Sequence, residues 1–183
     1  MEIRLLFKDE VNNVSELEDK LNEIGFNLEY KMGVIGMVTD QKNKVIFQRR
    51  GPKANGDFNM LSDVGGAVED YDLTFRDAMY RELKEEVGND INVEIEHFMC
   101  AFLKVYFDHK LNREVNRIFF VYKMKLIDGE FKVNEPGKAV GYETYEINNI
   151  PNNEVMHNFS GVCEYIDAAV RQSLSHFASE NAK

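Results

Sequence analysis

Three carboxylates and one guanidinium stand together in the chain as Arg81, Glu82, Glu85 and Glu86. On a helix, acids at i, i+3 and i+4 fall within about 100° of one face. Like charges so placed repel by about a few tenths of a kcal/mol per pair. Such a set is therefore either a solvated acidic face or a group of oxygen ligands for a hard cation. Arg81 precedes Glu82 directly and Glu85 by one helical turn, so it can hold a carboxylate by hydrogen bonds. Upstream lies Gly65-Gly66, where bare backbone can approach a ligand, and a backbone carbonyl is itself a hard-cation ligand. A glycine turn running into an acid-rich helix suits Mg²⁺ (or Mn²⁺), which takes few protein oxygens and keeps room for water and phosphates.

The element that must carry these acids reads as a helix over Thr74–Val87. Thr74 is a fair N-cap, with Asp77 three residues on at the positive end of the dipole. Met79, Tyr80, Leu83 and Val87 make an apolar arc, and the glutamates sit beside it, at the edge of a core where a cleft could form. Ala78 lies one turn before Glu82, where a small side chain leaves room. Gly88 ends the helix.

Around it, residues 1–8 read as a strand, and 14–24 as a helix with Val14, Leu17, Leu21 and Ile24 on its apolar stripe. Residues 30–39 and 44–50 form a hairpin, and 51–60 a glycine- and asparagine-rich loop. Strands follow over 91–107 and 117–127, joined by a polar connector. Residues 131–147 hold a loop between two short strands. A closing helix is expected over about 160–178, capped by Asn158 or Ser160. Hairpins with inserted helices argue for an α+β fold with a mixed sheet, not a doubly wound one.

The 183 residues suit one domain, or one with an appendage. No apolar run approaches the ~20 residues that span a bilayer, so no membrane partner is expected. Without a signal-peptide pattern, and with Cys100 and Cys163 far apart, a cytoplasmic protein with reduced thiols is expected. The net charge of −10 weighs against nucleic acid as a partner. An anionic small substrate remains compatible with it, because a divalent ion reverses the local field. His97, His109, His157 and His176 form no zinc spacing.

Gly66, Asp72 and Arg81-Glu82-Leu83-x-Glu85-Glu86-x-Gly88 resemble the Nudix box of the Nudix hydrolases. The helical half matches every fixed position. In the loop half Asp72 stands where the family has Glu, and eight residues instead of seven separate it from Arg81. Asn89 stands where the family has an apolar residue. Before and into the box, VIFQRRGPKANGDFNMLSDVGGAVE is similar to the Nudix branch containing isopentenyl-diphosphate isomerase and related hydrolases, and after it NEPGKAVGYETYEINNIP resembles a segment of many Nudix hydrolases. The resemblance covers residues 31–151. It implies an α/β/α sandwich around a mixed β-sheet, with residues 1–30 as an N-terminal extension to a domain over 31–183.

It also implies a Mg²⁺-dependent hydrolase that splits a diphosphate linkage in a nucleoside diphosphate derivative. Metal ligation would fall to Glu82, Glu85, Glu86 and the Gly66 carbonyl, while Arg81 orients the acids. Glu82 and Glu135 are both candidates for the base, and Asp72 and Glu69 both candidates for the acid of the lengthened loop. Arg49, Arg50, Lys53, Glu135 and Lys138 are candidates for substrate binding, each with a plain surface role as the alternative. Arg117 could point into the cleft. Phe58, Tyr106 and Phe107 could stack on a base, although plain core is the commoner role. A non-catalytic nucleotide-binding module of the same fold is the competing reading. Isomerase chemistry is disfavoured, because Ala67 follows Gly66 and Cys100 lacks a His-Pro neighbour. The terminal segments could serve a homodimer or cap the cleft.

Overall fold

The computed structural model describes residues 3–54, 58–108, 111–146, 149–151 and 154. The order of elements is β1 (Ile3–Phe7), α1 (Val14–Glu23), β2 (Lys31–Thr39), β3 (Val45–Arg50), β4 (Leu61–Ser62), β5 (Val64–Ala67), α2 (Phe75–Val87), β6 (Asn92–Asp108), β7 (Arg113–Asp128) and β8 (Ala139–Tyr145). The expected helix over 160–178 lies outside the described residues, as do Cys163, His109, His157 and His176.

The sheet is mixed. Its strands run in the order β1-β6-β7-β2-β3-β4, with β5 added to β2 and β8 to β3. Among the described residues, only strands β2 and β7 pair in parallel; the other strand pairs are antiparallel. The α+β sandwich expected from the sequence is the observed architecture. Alternation along the strands sends Val34, Val38, Ile46, Ile118, Phe120, Tyr122 and Met124 to one face, where α1 and α2 pack. Ile35, Met37, Phe47, Phe102, Phe119 and Val121 form a second core on the other face.

One irregularity of the sheet makes the site. The end of β2, Val38-Thr39, pairs with Ile46 and Val45 of β3. Its earlier part, Gly33–Gly36, pairs instead with Ala67–Val64 of β5. Meanwhile Gln48 and Arg49 of β3 pair with Ser62 and Leu61 of β4. The two central strands thus diverge, and the segment 61–67 fills the fork by crossing from β3 to β2. The glycine pair expected as a turn is therefore strand. Its backbone is fixed by partners on β2, which local propensity does not reveal.

Helix α2 lies over this fork. Phe75, Met79, Leu83 and Val87 recur every four residues and are all at least 95% buried. Each such side chain contributes roughly 1.5–3 kcal/mol relative to exposure. At Gly36 a Cβ would come within 2.9 Å of the Met79 methyl and 2.7 Å of the Met124 sulfur, so α2 seats closely only because β2 is bare there. Thr74 and Asp77 form the capping box, as the sequence predicts. Ala78 is fully buried in the core, and does not open space beneath the acids.

Residues 3–30 share that core. β1 pairs with β6, and Leu17 and Leu21 of α1 sit with the α2 side chains. Glu10 takes both Nε and Nη2 of Arg76, at 2.6 and 2.9 Å, and the Asn12 carbonyl accepts from the Phe75 N–H. The start of α2 is tied to the N-terminal segment in this way.

Candidate functional site

Arg81 is the hub of the α2 acids. Its Nε and Nη2 donate to the two oxygens of Asp72 at 3.0 and 2.9 Å. Nη2 also reaches the Ala67 carbonyl at 2.7 Å. Nη1 donates to Glu82 at 2.8 Å and to Glu85 at 3.3 Å. Between Asp72 and Glu69, it is Asp72 that meets the arginine; Glu69 offers its backbone N–H to the same carboxylate. Burial pulls the Asp72 carboxyl upward, but Arg81 outweighs it and holds the group below its ordinary value.

Facing Arg81 is the glycine pair. A Cβ on Gly66 would run into the Glu82 carboxylate, so that acid lies directly over bare backbone. Gly65, at φ +144°, donates its N–H to Glu86 at 3.1 Å. The Gly66 carbonyl oxygen lies 3.0 Å from where a Cβ on Gly33 would stand, which puts it towards β2. Burial pushes the Glu86 carboxyl up to about 8, and Glu82 and Glu135 add repulsion in the same direction. Burial also raises Glu82, against the pull of Arg81. Glu85 is half exposed.

The far wall comes from β3, β8 and the turn before β8. Tyr142 donates to the Glu86 carbonyl at 3.1 Å and accepts from Gln48, whose amide also reaches the Glu86 carboxylate. Asn134 donates its N–H to the Glu86 carbonyl at 3.0 Å and its side-chain amide to the Glu85 carbonyl at 2.7 Å. Glu135 pairs with Lys138 at 2.6 Å. This pairing raises the lysine, and the charges of Glu82 and Glu86 add to the effect. The turn is fixed on its other side as well. Gly51 donates to the Lys138 carbonyl and Lys53 to the Gly137 carbonyl, at 2.6 and 2.8 Å. Lys53 therefore stands beside Gly137 at the rim of the acidic site.

The other candidates are placed elsewhere. Arg49 points to the opposite face, where Glu143 takes its Nε and Nη2, Glu154 its Nη2 and the Asn59 carbonyl its Nη1. Arg50 begins the loop that carries Lys53, and its N–H donates to the Met60 carbonyl. Arg117 aligns with Lys104 and Lys31 across the sheet and lies over the Phe119 ring, on the face away from α2. Phe58 and Phe107 are exposed at 63% and 48%, so neither is plain core. Gln48, Tyr142 and Asn134 lie within the two flanking segments, but none of them is among the site residues expected from the sequence. They join it through contacts 49 or more residues away in the chain.

Among the described residues, no three acidic, histidine or cysteine side chains converge closely enough to hold an ion as they stand. Arg81 holds Glu82 and Glu85, while Glu86 is turned to Gly65. The donor set nevertheless fits a hard cation: it is all oxygen, and Glu86 is a buried acid repelled by two neighbouring acids.

A family model described as NUDIX domain matches residues 29–161. Among solved structures, the MutT protein of Methanosarcina mazei is 19% identical, with a TM-score of 0.58 over 78% of this chain and 97% of its own. A MutT NUDIX hydrolase from Burkholderia pseudomallei is 18% identical, with a TM-score of 0.57 over 75% and 98%. The NUDIX domain of Shewanella oneidensis NrtR, complexed with ADP ribose, is 11% identical, with a TM-score of 0.60 over 81% and 90%. No curated protein matches the sequence.

Proposed function

The chain belongs to the NUDIX family and is a Nudix hydrolase, and from that premise we propose that it splits the diphosphate bond of a nucleoside diphosphate derivative with a divalent cation, Mg²⁺ or Mn²⁺. The observation that carries this is the position of Glu82 and Glu86 against the bare strand Gly65-Gly66, with Arg81 holding Glu82 and Glu85. The proposed ion ligands are Glu82, Glu85 and Glu86, with a carbonyl of the glycine pair. Gly66 is the residue the sequence suggests. Strand alternation favours Gly65, whose N–H already faces the helix. The ion would draw charge from the phosphoryl oxygens and the leaving oxygen.

The protein's own groups would do the rest. Arg81 keeps the acids in register and is itself locked by Asp72. Glu82 or Glu135 takes a proton from water as the water oxygen bonds to phosphorus and the bridging P–O bond breaks. The electron pair of that bond leaves with the departing phosphate. Lys53 and Lys138, with Arg50 at the start of the Lys53 loop, would hold the substrate's phosphates. Arg49 would brace the wall through Glu143 and Glu154. The ADP ribose held by the Shewanella domain supports a nucleotide-type substrate. Among the described residues no helix is long and apolar enough to cross a membrane.

The test is a panel of nucleoside diphosphate derivatives, including ADP-ribose, nucleotide sugars and dinucleoside polyphosphates, incubated with Mg²⁺ and resolved by chromatography. Cleavage by the wild type and its loss in Glu86→Gln are expected. No cleavage of any compound, or equal cleavage by Glu86→Gln, would overturn the proposal.

A further inference from the structure

Helix α2 already ends in an ordinary way. Gly88 adopts φ +98°, and its N–H returns to the Lys84 carbonyl at 2.9 Å. The next two carbonyls belong to Glu85 and Glu86, and both are met from outside the helix. The Asn134 side chain takes Glu85, and the Asn134 N–H together with the Tyr142 hydroxyl takes Glu86. A cap needed only for helix stability is usually supplied by the flanking residues. This one comes from residues 48 and more positions along the chain. Its donor immediately precedes Glu135, the acid whose charge is felt at Glu86.

We infer that Asn134 is a positioning residue: it fixes the last turn of α2 to the Glu135–Lys138 turn, so that Glu85, Glu86 and Glu135 hold one mutual geometry. The inference rests on the metal-site reading above. The turn has little freedom elsewhere, since the N–H groups of Lys138 and Ala139 both donate to the Glu135 carbonyl and Gly51 and Lys53 hold its far side. Asn134 is thus the link through which movement of the helix end would reach Glu135. The Asn134 side chain is exposed, so its replacement leaves the core intact.

The experiment compares Asn134→Ala and Asn134→Asp with Asn13→Ala, which removes the N-cap of the remote helix α1. Mn²⁺ affinity is read by the paramagnetic resonance of the free ion, without substrate. Turnover is then measured on the compound that the wild type cleaves best. Both Asn134 variants are expected to bind Mn²⁺ several-fold more weakly and to lose roughly tenfold in kcat, with KM within about twofold. Asn13→Ala should lower Tm and leave Mn²⁺ affinity and kcat unchanged. Wild-type Mn²⁺ affinity in both Asn134 variants overturns the inference, as does a loss equal to that of Asn13→Ala. The Mn²⁺ arm stands even if the wild type cleaves nothing, so the two readings fail separately.

Discussion

Arg81 and Asp72 form a two-pronged ion pair, Nε to Oδ1 at 3.0 Å and Nη2 to Oδ2 at 2.9 Å, across a loop one residue longer than the family pattern. The loop and the residue type compensate each other. Asp is one carbon shorter than the family's Glu, and the additional residue lets the backbone bring it to the guanidinium. The Asp72 side chain is 4% exposed, so its charge is separated from water and depends on Arg81. Asp72→Asn should therefore destabilise the protein by about 3 kcal/mol at pH 7, towards the lower end for a broken buried pair because Arg81 keeps other acceptors. The pH dependence follows from the lowered carboxyl. The stabilisation is present above the unfolded-state value of about 3.9 and is lost as pH falls through the folded-state value. Urea unfolding at a series of pH values from 7 downwards checks this; a gap between wild type and variant that does not narrow as the pH falls would contradict it.

Glu86 has the opposite sign. Its folded-state value of about 8 lies above the unfolded value. Its contribution to stability is complete below the unfolded value near 4.3 and is lost as pH rises through 8. Without a cation, Glu86→Gln should melt higher than the wild type at pH 9, with the difference closing by pH 4. Added Mg²⁺ should raise the wild-type Tm and leave the variant's almost unmoved. Turnover of the variant should fall at least about 100-fold, since a metal ligand supplies several kcal/mol at the transition state. Thermal scans with and without chelator read the first part, and steady-state rates the second.

Helix α2 was legible because its signals are local: a capping box, an apolar residue every three or four positions, and a terminal glycine. β5 was not. VGGA lacks the alternation and β-branched run of a strand, and its conformation comes from pairing with β2, some 30 residues earlier. The same limit hid Asn134, Gln48 and Tyr142, which are ordinary polar residues until the fold places them at the end of α2. Arg49 shows the converse. A paired Arg49-Arg50 after a strand suggests phosphate binding, but alternation sends Arg49 to the far face, where Glu143 and Glu154 hold it.

Gly66→Ala tests the closeness of strand and acid. The added Cβ would overlap the Glu82 carboxylate, which must then move away from Arg81 and the glycine pair. Turnover should fall by about 10², the cost of misplacing a catalytic group by an ångström. Gly141→Ala in β8 meets nothing within 4 Å and should keep wild-type rates. Equal rates for the two alanine variants would show that Glu82 does not act from the position seen here.

Lys138 and Arg49 should separate binding from bracing. Lys138 is 58% exposed on the acidic site and pairs with Glu135 at 2.6 Å, which leaves its other ammonium donors available to a phosphate. Arg49 is 13% exposed and makes four hydrogen bonds on the other face of the sheet. Lys138→Met should raise KM roughly tenfold, the worth of one charge-assisted hydrogen bond, and leave Tm nearly unchanged. Arg49→Met should do the reverse. It leaves the Glu143 and Glu154 carboxylates without their guanidinium, lowers Tm by several degrees and moves KM little. Measuring both constants on both variants decides the assignment. A KM effect in Arg49→Met as large as in Lys138→Met would mean that the substrate reaches the far face of the sheet, and the cleft would have to be extended through the β2–β3 fork.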